Sequence, residues 1–346
     1  MEATDELDAA ERRYSIHPLT RAFAGAKLGE NEEWEKGARL SAAKHFLSLA
    51  QQNDGWDNRD GFPWFELELI NILASLDWCY NVGEWHIVVE LMKTLTYFMG
   101  TRGYWRERIQ YGQVALKAAK HLGNDESVAW INIMLSWIYL NQSNCEDAEA
   151  CAKTSESLFK KVEDWVHVCE ALRLLGKVAR VRGEVSKARE LAEKALEVAR
   201  VSDNENGING AHCDLGDLAL QQGNYVEAER LYREALRGFE KLGNQERIAS
   251  RHIDLGNATF SQNRLDEAYE HYKVGLALSQ RIGRQDNIAC AQYGLAHVGE
   301  RADDFSSALE LAHSAREIFE RLGMRKEIEE TQALVVRLEE KLSADR

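Results

Sequence analysis

The stretch Leu215–Ala235 reads LGDLALQQGNYVEAERLYREA, and its features return along the chain at a fixed interval. Leu215 belongs to a column of leucines 40 residues apart: Leu95, Leu135, Leu175, Leu215, Leu255 and Leu295. The next residue is always small: Thr96, Ser136, Gly176, Gly216, Gly256, Ala296. Eight residues past each leucine comes a turn-former: Gly103, Ser143, Gly183, Gly223, Asn263, Asp303. Five further on stand Ala148, Ala188, Ala228, Ala268 and Ala308, with Arg108 the departure in the first unit. Another small residue follows at Ala115, Ser155, Ala195, Ala235, Gly275 and Ala315. Self-similarity at a period of this length marks a repeat array.

Each column has a physical reason. The leucine is the buried knob of a first helix, and the small residue beside it lets a neighbouring helix come close. The turn column holds residues that tolerate left-handed backbone angles, so the helix stops and the chain reverses. The alanine lies on a second helix, where lack of bulk permits tight packing on the first. A second turn closes the unit at Leu122-Gly123-Asn124, Leu242-Gly243-Asn244, Ile282-Gly283 and Leu322-Gly323. A helix hairpin of this kind cannot bury its apolar face alone, so six of them stack into one core. The expected fold is all-α: a right-handed α-solenoid of stacked antiparallel helix hairpins.

Composition agrees. The 346 residues contain only two prolines, which break helix interiors, and 45% of them are hydrophobic. The formal charge of −14 argues against general nucleic-acid binding, which needs a positive footprint, and against an anionic membrane surface. No apolar run is long enough to span a bilayer. Six cysteines without a CxxC pair read as reduced thiols, so a cytoplasmic location is expected.

The columns resemble the tetratricopeptide family, most closely at Leu215-Gly216, Gly223-Asn224-Tyr225, Ala228, Tyr232 and Ala235. The resemblance covers about residues 84–323. It departs from the family in its 40-residue unit and in lacking the consensus proline. Residues 29–83 read as a divergent helical module, with helices near 31–52 and 64–81. Residues 324–346 read as a charged capping helix.

Residues 14–24, Tyr14-Ser15-Ile16-His17-Pro18-Leu19-Thr20-Arg21-Ala22-Phe23-Ala24, look like the end of the winged-helix domain of NB-ARC-type STAND proteins, the nucleotide-switched signalling ATPases. On that resemblance residues 1–28 end a winged-helix-like segment and His17 is the nucleotide-sensing histidine. The chain is then the sensor portion of a longer protein with an upstream nucleotide-binding domain. An ordinary helix start with a surface histidine fits the same residues. Gly176-Lys177 lies inside a repeat helix, and nothing else resembles a phosphate loop.

The tetratricopeptide resemblance implies a concave groove that takes a protein or peptide, walled by first-helix positions. These include Trp130, Ile133 and Trp137, then Arg173, Lys177 and Arg180, then Asp217, Asn257 and Phe260, and finally Tyr293, His297 and Arg301. The cations Arg173, Lys177 and Arg180 share one helix face and would suit an acidic peptide; a solvated outer face has the same spacing. Trp130 and Trp137 serve as an aromatic anchor or as core. His212 and His252 share a column, but no third ligand accompanies them, so no metal is expected. No nucleophile motif orders the Ser, His and carboxylate residues, so no catalytic residue and no cofactor is expected. Three functions remain: the sensor of a STAND-type switch, a free-standing scaffold or adaptor, and a receptor for a peptide pheromone or small ligand.

Overall fold

A computed structural model describes residues 2–3, 14–15, 25–54 and 59–344. Glu2–Ala3 pairs antiparallel with Tyr14–Ser15, whereas His17 lies outside the described residues. The remainder is helical. The first pair is α1 (Glu32–Asn53) and α2 (Phe62–Val82). Six hairpins follow: α3 (Trp85–Arg102) with α4 (Trp105–His121), α5 (Asp125–Asn141) with α6 (Cys145–Lys161), and α7 (Trp165–Val181) with α8 (Val185–Val201). The last three are α9 (Glu205–Gln221) with α10 (Tyr225–Lys241), α11 (Gln245–Ser261) with α12 (Leu265–Ile282), and α13 (Gln285–Arg301) with α14 (Phe305–Leu322). A final helix, α15 (Arg325–Ala344), buries Leu334, Val335 and Leu338 at the end of the stack.

The turns explain the regularity. Every residue of the first turn column has positive φ, from Gly103 to the non-glycine Ser143, Asn263 and Asp303. The second turn does the same at Gly123, Gly243, Gly283 and Gly323, and also at Glu163 and Asp203, where no glycine announces it. One residue later the next helix is often capped by a side chain. Asn124, Asn144, Asp164, Asn204, Asn244 and Asp304 each accept the amide three residues on, satisfying a donor that the helix start leaves open.

The small columns set how closely the helices pack. A Cβ on Gly216 would lie 2.6 Å from the Tyr232 ring, and one on Gly256 2.6 Å from Tyr272. The hydroxyls of those tyrosines donate to Asp217 and Asn257, both at 2.8 Å. Where a column holds serine, the hydroxyl is also answered: Ser136 donates to the Ala148 carbonyl and Ser155 to that of Ala129.

The stack closes on itself. α13 touches α3, and the Gln142 amide donates to the Leu322 carbonyl at 2.9 Å. One apolar cluster joins Leu91, Leu95 and Leu135 to Ala289, Ala315, Phe319 and Leu322. The first helices of the units therefore face inward, around a half-open cleft.

Gly243 (φ 66°) has no atom within reach of an added Cβ, so its substitution probes the backbone alone. Gly243→Ala is expected to lower unfolding stability by about 1 kcal/mol in denaturant titration. An unchanged midpoint would show that the second turn does not need its left-handed residue.

Candidate ligand cleft

The half-open cleft has a volume of about 530 Å³. Its wall includes Trp130, Ile133 and Trp137 from α5, Lys177 from α7, Asn257 from α11 and Asn287 from α13. Arg173 opens on a neighbouring hollow between α7, α9 and α11. Asp217 and Arg180 bridge adjacent units. Phe260, Tyr293 and His297 form a separate aromatic group: the Tyr293 and His297 rings meet edge-on at 4.6 Å, and Arg301 caps the Phe260 ring at 5.8 Å.

The inner helices are enclosed, so their charges are desolvated and paired. Arg173 Nε donates to Asp214 at 2.6 Å, and Lys177 reaches the same carboxylate at 3.4 Å. Arg180 faces Asp217 at 3.5 Å. Burial alone would raise the Asp214 pKa, but Arg173 and Lys177 outweigh it and hold the carboxyl below its usual range. The three cations on one face of α7 are thus answered by the next unit, which supplies acids where α7 has bases.

Beyond these, the cleft gathers residues from the helix starts that the column reading did not single out. Arg284 lies 2.6 Å from Asp286 and 3.2 Å from Glu246, with its guanidinium 4.9 Å from the Trp137 ring. Arg251 meets Asp254 at 2.7 Å. Burial pushes the Asp254 carboxyl up to about 6; Arg251 opposes this and the neighbouring Asp217 adds to it. Arg108 and Arg247 also line the cleft. The signal for Arg108 was its break in the alanine column. Nothing comparable marked Arg247 or Arg251.

His252 turns away from any ligand set and meets His271, with the two Nδ1 atoms 3.2 Å apart. No group of three potential metal ligands occurs among the described residues, and no helix among them is long and apolar enough to cross a membrane.

This architecture defines a tetratricopeptide-type α-solenoid closed around a polar cleft. The profile of the MalT-like TPR region matches residues 129–344, and the chain belongs to that family. A relative, the transcription activator GutR of Bacillus subtilis (strain 168), is 26% identical over 188 residues, 51% of this chain. The chain spans about a fifth (22%) of that relative's length. Two solved structures share the fold at low identity. A Rap protein complexed with Competence and Sporulation Factor matches at TM-score 0.58 and 14% identity, covering 95% of this chain and 92% of that one. The Rap conjugation gene regulator of the plasmid pLS20, in complex with the Phr* peptide, matches at 0.56 and 15%, covering 74% and 76%.

Asp214→Ala leaves Arg173 buried without its partner and is expected to cost about 3 kcal/mol in denaturant unfolding. Arg173→Met with Asp214→Leu should recover most of that loss; a loss no smaller in the double variant would contradict the pairing account. Asp254 has a second consequence. Its folded pKa lies above its unfolded value near 4, so the folded state binds the extra proton between about pH 4 and pH 6. The contribution of Asp254 therefore favours folding at low pH and fades as pH rises through about 6. Carboxyl ¹³C NMR should find one aspartate titrating near 6, absent in Asp254→Asn.

Proposed function

We propose that the chain is a non-catalytic binding module whose half-open cleft takes a short peptide or a small ligand, and that this occupancy is its regulatory signal. The observation that carries this reading is the cleft itself: a polar space of about 530 Å³, within the roughly 300–1,000 Å³ range of small-ligand sites. A folded domain does not fit in a space of that size. The Phr* peptide held by the Rap conjugation gene regulator of like fold favours the peptide reading.

The finer reading makes this solenoid the sensor of a STAND-type, nucleotide-switched regulator. The transcription activator GutR, of which the matching region is only a part, supports a regulatory role within a longer protein. In that setting His17 would read the nucleotide, and the upstream nucleotide-binding domain would be the partner that ligand binding releases. The groove residues Trp130, Ile133, Trp137, Lys177 and Asn257 would contact the ligand. Arg173, Arg180 and Asp217 would hold the wall, and Phe260, Tyr293, His297 and Arg301 would form its far end.

The test is retention. Purified protein incubated with a mixture of short peptides, passed through gel filtration and read by mass spectrometry, should keep a subset at about one per chain. Ser250 lines the cleft, so Ser250→Trp should abolish retention with the helical circular dichroism intact. A folded wild type that keeps no peptide would count against the peptide reading. A reading frame lacking a G-x-x-x-x-G-K-[ST] segment upstream of residue 1 would count against the STAND reading.

A further inference from the structure

The first repeat breaks its own rule at Arg108. The other five units place a buried alanine there, Ala148, Ala188, Ala228, Ala268 and Ala308, all essentially inaccessible to solvent. Arg108 is also buried, at 8% exposure. Room for it comes from Gly100, where a Cβ would lie 2.6 Å from the Arg108 Nη1. The same position in the other units holds Leu140, Arg180, Leu220, Phe260 and Glu300. Glycine and arginine therefore depart together, in one unit only.

The guanidinium so accommodated has no carboxylate in direct contact among the described residues, although Glu246 and Asp286 act on it from a distance. Among the described residues Arg108 makes no ion pair, and its Nε has no hydrogen-bond partner. Its neighbour is the Trp137 ring, 5.7 Å away, which Arg284 also approaches. Burial first, and then Arg284, push Arg108 down to about 9, which still leaves it charged at neutral pH. Holding an unpaired charge inside costs stability that a methyl at this position would not. A local rule broken without a compensating contact is where function is expected.

Most of the other charges of the cleft are paired. Five cations line it: Arg108, Lys177, Arg247, Arg251 and Arg284. Lys177, Arg251 and Arg284 have carboxylate partners, whereas Arg108 and Arg247 make no ion pair among the described residues. Of the lining carboxylates, only Glu170 is similarly left over. Two cations and one carboxylate are thus without a direct pair, and Arg247 feels Glu246 and Glu170 from a distance.

We propose that the Arg108 guanidinium, seated on the Trp137 ring, is the recognition site for the anionic head of the cleft's ligand, a carboxylate or a phosphate, with Arg247 as the second cation. The proposal rests on the reading of the cleft as a ligand site and adds the ligand's charge. Trp130, Ile133 and Trp137 supply apolar wall for the ligand's neutral part. Charge-assisted hydrogen bonds in a water-poor space give the anion its hold.

Thermal unfolding of the full chain tests this with two probes, inorganic phosphate and a tri-aspartate peptide, against an amidated tri-alanine control. At least one anionic probe should raise the wild-type Tm by about 2 °C or more at saturation. Phosphate acting alone assigns a small anion, and tri-aspartate acting alone assigns a peptide carboxylate. Arg108→Met should weaken the response about tenfold or more, while its own unliganded Tm stays level or rises, because an apolar chain replaces an unpaired charge. Arg247→Gln, less buried, should weaken it as well. The proposal is overturned if neither probe acts, if Arg108→Met responds like wild type, or if its unliganded Tm falls sharply, which would make Arg108 a structural residue. Neutral peptides retained equally by wild type and Arg108→Met would remove the anion site and leave the peptide-binding function standing.

Discussion

Closure of the stack is the constraint on which the rest depends. Contact of the last unit with the first two, through Gln142 and Leu322 and the cluster around Leu95 and Phe319, turns an open concave surface into a cleft. Charges on the inner helices consequently lose water and need partners from neighbouring units. The ladder from α7 to α9, Arg173 and Lys177 to Asp214 and Arg180 to Asp217, is that requirement met. It links adjacent repeats by charge as the small columns link them by shape.

The same closure defines what the molecule can bind. An open solenoid offers a long surface suited to a folded partner or an extended chain. Here the inward helices leave a small polar space whose wall mixes satisfied ion pairs with a few unsatisfied groups. In the proposed reading selectivity would rest on those few, because groups already paired inside the protein offer a ligand little. Arg108 stands out among them: it is buried, the glycine opposite it belongs to its own unit, and the tryptophan beneath it comes from the next.

The seam where the last unit meets the first two combines the Gln142–Leu322 hydrogen bond, the Arg284 guanidinium resting on Trp137 and a patch of apolar packing. Neighbouring repeats within the stack are held by far more extensive packing. In the proposed reading a ligand would touch Trp137 on one side of the seam and Arg284 on the other, where the two arms of the stack meet.

The sequence by itself determined the repeat: unit length, turn positions and the buried small columns follow from local backbone preference and from the need of each hairpin to cover its neighbour. Two turns escaped it, at Glu163 and Asp203, because the stack holds non-glycine residues in left-handed geometry without a local sign. The face shared by Arg173, Lys177 and Arg180 was legible from helical spacing, but its neutralisation was not. Only tertiary structure sets Asp214 and Asp217 opposite those cations, although a basic residue at 177 and an acidic one at 217, in the same column, hinted at it. The cleft's own residues at 246–254 and 284–287 come together solely because the ring closes. Closure depends on small rotations between successive units, summed over the stack, and no single repeat encodes that sum.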